Sequence, residues 1–589
     1  MAFEDQIVKY TQTVAELDAV DKTNLSDGQQ ASVENEGIYA LDKTADEWTQ
    51  TTLKAPYILS SYRGLKISEF LSTNEISVDQ KSALSTAMNE LHSRGRYFEL
   101  DLEGRRIGID GVMDFGSIWE GKSSQGIKII KNGWVSALTS TEANRTEFTL
   151  LVSTEIGENE ITFPPGSSVT MGMYITGPGV ARESYVVRVD TAAGTAVLNT
   201  RAWRTVNKIT HRFINFQYMF DFRNVAQFLN FQFKDMVFDG SGNISIFNGP
   251  KGADEGGSGT ISFSRCIFSR PVDRGITFWT TGGSNLQVDN CQGISNEDKV
   301  APIDRKSVFC TVTTNDAKFR GNYVWQFRHT LVLHGSGNVI VGNHFWQARQ
   351  KRPEEPVSFE TRTASIILTS ANNKTNIVGN YIDNSWIELA NDNTTAQNWP
   401  LGGGVTITGN QFTTVSKIGT FGFIALAPYK PNSSCARISV IGNVFKNVDG
   451  GAVPPVVPME KADVLIVPQG SNGSIDRSQV SQIYWRANSY NQVKKETASE
   501  STIEKLVAAG SETSTVGFSF QELFPWNFYP RAVLSTSVYS AKTAAGVASP
   551  TPVMVDDNLG SNYIINMRLG EPRSGRFGIT VTCNAAHEQ

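Results

Sequence analysis

Five Gly-Asn dipeptides, each opening a similar pentapeptide, constrain this chain more than any other feature. GNYVW begins at Gly321, GNHFW at Gly342, GNYID at Gly379, GNQFT at Gly409 and GNVFK at Gly442, at intervals of 21, 37, 30 and 33 residues. The last four each follow a short run rich in β-branched residues: VIV, NIV, VTIT and ISVI. MVFDG (236–240) and CIFSR (266–270) look like earlier members of the series. One strand–turn–strand unit per 20–40 residues is what a right-handed parallel β-helix requires, with inserted loops accounting for the uneven spacing. In such a stack like residues lie over like. Asn322, Asn343, Asn380, Asn410 and Asn443 are therefore expected to form a ladder, at a turn whose left-handed backbone suits the preceding glycine. Stacked antiparallel hairpins or a propeller are the alternative, disfavoured by the irregular intervals and the lack of a blade signature.

The flanking segments read differently. Residues 1–62 carry short apolar clusters broken by Asn, Asp and Gly, the pattern of a small module of strands and turns. In the neck, 63–110, Leu84, Ala87, Met88 and Leu91 fall at helical spacing within a helix over 78–95. The period then changes to alternation in a first strand near 97–103. A helix there would close an end of the stack, which would otherwise expose core and strand edges. The body spans 111–470, with an inserted β subdomain at about 146–205, where FTLLVS, EITF, YVVRVD and TAVLNT are separated by turn residues. A polar linker is expected over 471–510 and a C-terminal β-sandwich over 511–589. The fold class is mainly β, consistent with 51 Gly and only 19% charged residues.

Composition also excludes some functions. The net charge is −5 and no basic run stands out, so no nucleic-acid partner is expected. No run of 18 apolar residues occurs, so no membrane insertion is expected. The start, MAFEDQIVKY, lacks the apolar stretch of a signal peptide, which points to cytoplasmic synthesis. Five widely spaced cysteines without a CxxC pair read as free thiols, with no cofactor and no metal site.

Taken together, the order of segments resembles phage tailspikes, trimeric β-helix proteins that bind or cleave bacterial surface polysaccharide. TVAELDAV with the later GIYALD is similar to virion-attachment modules of tail fibres. VDQKSALSTAMNELHSRGRYFELDLEG resembles the opening helix and first strand of pectate-lyase-like folds. FRHTLVLHGSGNVIVGNHFWQ (327–347) and GNYIDNSWIELANDN (379–393) are similar to β-helix proteins of marine alphaproteobacteria and their phages. The resemblance implies a homotrimer in the phage tail of the virion, with tail or adapter proteins bound through the N-terminal module and host surface polysaccharide as the target. Two departures stand out. The NTD, paired-Asp, GHG and RIK motifs of polygalacturonases are missing, and Ala348-Arg349 follows GNHFWQ where similar proteins continue with Gly-Asp.

Polysaccharide hydrolysis uses two carboxylates 5–9.5 Å apart, and neighbouring coils of a β-helix, about 4.8 Å apart, can supply them. Asp383, Glu388 and Asp392 are the catalytic candidates, with Trp386 and Trp399 near enough in sequence to stack on sugar rings. Aligning coils on Gly-Asn sets Trp325 over Trp346, Gln326 over Gln347 and Arg328 over Arg349. That predicts an outward strip suited to an anionic glycan, with His344 beside it and Glu354, Glu355 or Glu360 as counter-charges. His329, His334 and His344 lack the i+2 or i+4 partners of a metal site. The loop 249–260 reads as a flexible lateral loop, and Asp239 and Asp273 as exposed-turn residues. Three functions remain open: a tailspike that depolymerises its receptor, a non-enzymatic receptor-binding fibre, and a bacterial or prophage polysaccharide lyase.

Overall fold

The structure is a computed structural model. It describes strands 7–11, 30–33, 37–42 and 47–50, then, apart from short gaps, residues 64–251, 259–347, 364–391, 404–414, 423–428, 435–447, 464–466, 480–491 and 499–583. The body is a parallel β-helix in which each complete coil contributes three short strands. One coil comprises Lys318–Arg320 on face A, Tyr323–Trp325 on face B and His329–Leu333 on face C. The next stacks on it in register: Phe319 opposite Ile340, Val324 opposite Phe345 and Leu331 opposite Ile366. Every pairing between neighbouring coils of the body is parallel, and parallel crossovers of this kind are right-handed. The alternating residues of each strand that point inward form one continuous apolar core, from Leu84 of the helix to Trp485.

The turn between faces A and B explains the Gly-Asn repeat. Gly321, Gly342, Gly379, Gly409 and Gly442 have φ of 63–66°, where a Cβ is penalised. The following asparagine is buried and bonded to the next coil. Its Oδ1 accepts from both the backbone N–H and the Nδ2 of the asparagine one coil earlier, as Asn380 does from Asn343 at 2.9 and 2.8 Å. The ladder continues past the repeat to Asn488, and in the other direction Cys291 and Cys266 take the same position, where the Cys291 N–H donates to Asn322 Oδ1. Cys266, Cys291, Cys310 and Cys583 are buried free thiols.

The helix Lys81–Ser93 buries the four expected apolar residues against the first coil. Between face B and face C of the second coil, after Ser124–Ala137 and before Tyr218–Asp221, the chain leaves the body to form a closed antiparallel barrel of six strands, from Arg145–Thr154 to Val206–Phe216. The inserted unit thus runs further than 205. The polar stretch after 471 also differs from a simple linker. Val480–Arg486 and Ser489–Asn491 add to the stack, and Glu500–Val507 already belongs to the C-terminal unit. There the 19-residue strand Ile564–Thr582 crosses two small sheets that enclose a second core around Phe518, Met567, Phe577 and Ile579. Near the N-terminus, four short strands form one sheet.

Candidate functional site

Face B carries an outward ladder of aromatic side chains. In each strand the middle residue (Val324, Phe345, Ile382, Phe412) enters the core, so its two neighbours point out. One outward row runs Tyr323, His344, Tyr381; the other runs Trp325, Trp346, Asp383. The His344 ring lies 4.7 Å from Tyr323 and 4.4 Å from Tyr381, nearly parallel to the latter, while Tyr323 lies 4.8 Å from Trp325. All of these side chains are exposed or half-buried. Asp383 sits in register with Trp346 and accepts a 2.7 Å hydrogen bond from Thr413. Partial burial lowers the His344 pKa, and the Asp383 carboxylate acts in the opposite direction. This half-buried surface offers apolar ring area with polar edges, a combination suited to sugar rings.

The strip ends at the corner after Trp325 and Trp346. Gln326 and Gln347 turn inward, and both side-chain oxygens accept hydrogen bonds from the buried guanidinium of Arg305. The expected outward glutamines are therefore corner struts. Beyond the corner, Arg328 lies on the face C side, away from the two tryptophans. Burial, with Arg182 and Arg274 nearby, lowers its pKa to about 10.

Face C is covered by the inserted barrel. Its outward row runs Asp114, Asp221, Asn248, Thr277, Thr311, Val332, Ile367, Glu388 along successive coils. Asp221 and every later member of that row is buried. Glu183 at the barrel's edge receives Arg274 at 2.8 and 3.1 Å, Tyr185 at 2.7 Å and Thr311 at 2.9 Å. Arg182 reaches Glu388 at 3.3 Å. His329 is buried beside Arg328, with Nδ1 2.8 Å from the Ala364 carbonyl oxygen; burial and the Arg328 charge push its pKa well down.

These placements separate the catalytic candidates. Asp383 stands on face B, whereas Glu388, five residues on, is fully buried and ion-paired under the barrel on face C. The turn at Asn384–Trp386 carries the chain from one face to the next, so proximity in sequence does not bring the two carboxylates into one groove. Trp386 is buried at that turn. Asp392, Arg349, Trp399, Glu354, Glu355, Glu360 and most of the 249–260 loop lie outside the described residues. Asp239 and Asp273 are buried rather than exposed, paired with Arg270 and Arg145 respectively. The histidines diverge: His329 is buried on face C, His334 is buried against Thr369 at 2.6 Å, and His344 is on the surface of face B. Tyr323 and Tyr381 were not singled out from sequence, although they occupy the position after Gly-Asn that His344 shares.

No protein-family model matches the chain, and no curated protein matches its sequence. Among solved structures it is similar to the tailspike gp61 of Pseudomonas phage phi297, at 10% identity and a TM-score of 0.33, covering 85% of this chain and 91% of that one. It is also similar to the tailspike of E. coli bacteriophage HK620 (a double mutant), at 10% identity and a TM-score of 0.37, covering 88% and 93%. The Streptococcus pneumoniae surface protein and adhesin PfbA is similar at 12% identity and a TM-score of 0.35, covering 73% and 98%.

Proposed function

We propose that this protein is a receptor-binding tailspike that holds host bacterial surface polysaccharide (capsule, exopolysaccharide or O-antigen) against face B. The observation that carries this reading is the in-register outward row of Tyr323, His344 and Tyr381 beside Trp325 and Trp346. It extends over three successive coils, and a solenoid holds such a surface rigid, so little side-chain ordering is left to oppose binding. The sequence resemblance to tailspikes supplies the biological setting: a homotrimer in the virion, attached to the tail through the N-terminal module. Depolymerisation of the bound glycan during adsorption belongs to the same proposal. The binding-only fibre is the second reading, favoured by the burial of Glu388 away from Asp383.

The test is incubation of the full chain with purified surface polysaccharides, following binding, new reducing ends and the ultraviolet absorbance of unsaturated uronic acid. Reducing ends alone indicate hydrolysis, and both signals together indicate lyase chemistry. Binding with neither signal leaves the adhesive fibre. Failure to bind any surface polysaccharide overturns the reading.

A further inference from the structure

Where the inserted barrel meets the first coils, the covered face C opens into a cavity of about 380 Å³. Small-molecule sites occupy about 300–1,000 Å³. Val112 of the body and Met171 of the barrel supply its apolar lining. Its polar lining comes from the end of the outward row described above. Asp114 and Asp221 are register partners on neighbouring coils, and Arg223 lies two residues beyond Asp221.

The hydrogen bonding divides these groups into fixed and free. Asp221 is saturated: it accepts from the Arg223 backbone N–H and Nε, from Arg223 Nη2 and from Asn248. Arg223 also donates to Asn215 at 2.6 Å and to the Phe216 carbonyl at 3.0 Å. These bonds hold the wall without using every polar site. Asp114 Oδ2 accepts only from Ser117, at 2.7 Å, so one acceptor site remains. Arg223 Nη1 makes one bond and keeps one N–H. Asn224 and Thr170 line the open side of the cavity, where both are exposed and present an amide and a hydroxyl. Asn224 is brought there by a close approach: a Cβ on Gly116 would stand 2.3 Å from its Cβ. The cavity thus offers interleaved donors and acceptors beside an apolar wall, which is the complement of a pyranose ring with its hydroxyls. Two carboxylates against one guanidinium leave the lining negative, which disfavours a carboxylate-bearing sugar.

We propose that this cavity is a second carbohydrate subsite, which takes one neutral or N-acetylated sugar unit and rejects uronates. The proposal rests on the carbohydrate-binding reading of the chain and gives that reading a substrate class. It places the inserted barrel in recognition, since Thr170 and Met171 close one side.

Met171 provides the readout. The full chain labelled with ¹³C-methyl methionine, with Met171 assigned by Met171→Leu, is titrated with the methyl glycosides of glucose, galactose, N-acetylglucosamine and glucuronic acid. A neutral or N-acetyl glycoside is expected to shift the Met171 methyl resonance saturably while the glucuronide does not. Asn224→Ala is expected to weaken that binding about tenfold, and Trp346→Ala to leave it unchanged. Unshifted methyl signals elsewhere report that the variants are folded. If none of the three non-acidic glycosides moves the resonance, if the glucuronide moves it equally, or if Asn224→Ala leaves the affinity intact, the subsite is refuted. If Trp346→Ala fails to weaken polysaccharide binding while Met171 still responds, face B is refuted and the subsite stands.

Discussion

Arg274 of the β-helix and Glu183 of the inserted barrel form a two-pronged ion pair, 2.8 Å from Nη2 to Oε1 and 3.1 Å from Nε to Oε2. Both side chains are almost fully buried, and Tyr185 and Thr311 both donate to the same Oε2 that accepts from Arg274 Nε. Bringing two charges out of water offsets most of their attraction, so the pair adds little net stability. Its effect is positional: it permits one seating of the barrel on face C and disfavours others.

Breaking this pair from one side leaves a buried, uncompensated guanidinium. Glu183→Gln is expected to destabilise the protein by about 3–5 kcal/mol. The loss is expected to be local, with faster amide exchange in Val206–Phe216 than in the coils beyond Asn343. The double variant Glu183→Gln, Arg274→Met should recover much of it.

The asparagine ladder predicts a position-dependent cost. Asn380 uses its side chain in four bonds, two accepted from Asn343 and two donated to the Ile340 carbonyl and Asn410. In Asn380→Ala the Asn343 N–H, one Asn343 Nδ2–H and the Ile340 carbonyl each lose this partner, while Asn410 Oδ1 keeps its bond from the residue 380 N–H. At about 1–3 kcal/mol per unsatisfied buried group the loss is at least about 3 kcal/mol. Asn488, at the half-buried end of the described ladder, makes three bonds, and its alanine variant should lose about half as much. Denaturant midpoints of the two variants check the ranking.

Acid sensitivity follows from the buried histidines. Burial depresses His334 to about 3, below its unfolded value near 6.5. The unfolded chain therefore binds more protons between those values. The stabilisation is complete above pH 6.5 and is lost as pH falls toward 3, at about 1.4 kcal/mol per pH unit. His334→Asn, which retains a partner for Thr369, is expected to flatten the dependence of unfolding free energy on pH between 6.5 and 5 by that slope. An unchanged slope would refute the buried neutral imidazole.

Much of this architecture can be read in the sequence because its determinants are local. Gly321 and its four equivalents need a left-handed turn, the next asparagine needs a partner one coil away, and Leu84, Ala87, Met88 and Leu91 need one buried stripe. The register Trp325 over Trp346 follows from the same repeat. The candidate site was less legible, because solvent exposure is decided by distant segments. Glu388 has the alternation of an outward residue and is outward on its strand, yet Arg182, 206 residues earlier, covers it. Gln326 and Gln347 point inward because Arg305 waits in the corner, and no pattern in a single coil announces that. The cavity at Asp114 and Asp221 joins residues from two coils and the barrel, so its lining shares no motif.

The most direct test of the central claim is the affinity of Trp346→Ala and Tyr381→Ala for a surface polysaccharide that the unaltered chain binds, measured by calorimetry. Each removes a half-buried ring from face B while the core residues Phe345 and Ile382 remain. A loss of about tenfold or more for each variant, equal to about 1.4 kcal/mol, is the predicted result. Full affinity in both variants, with unchanged unfolding midpoints, would contradict the assignment of face B as the glycan platform.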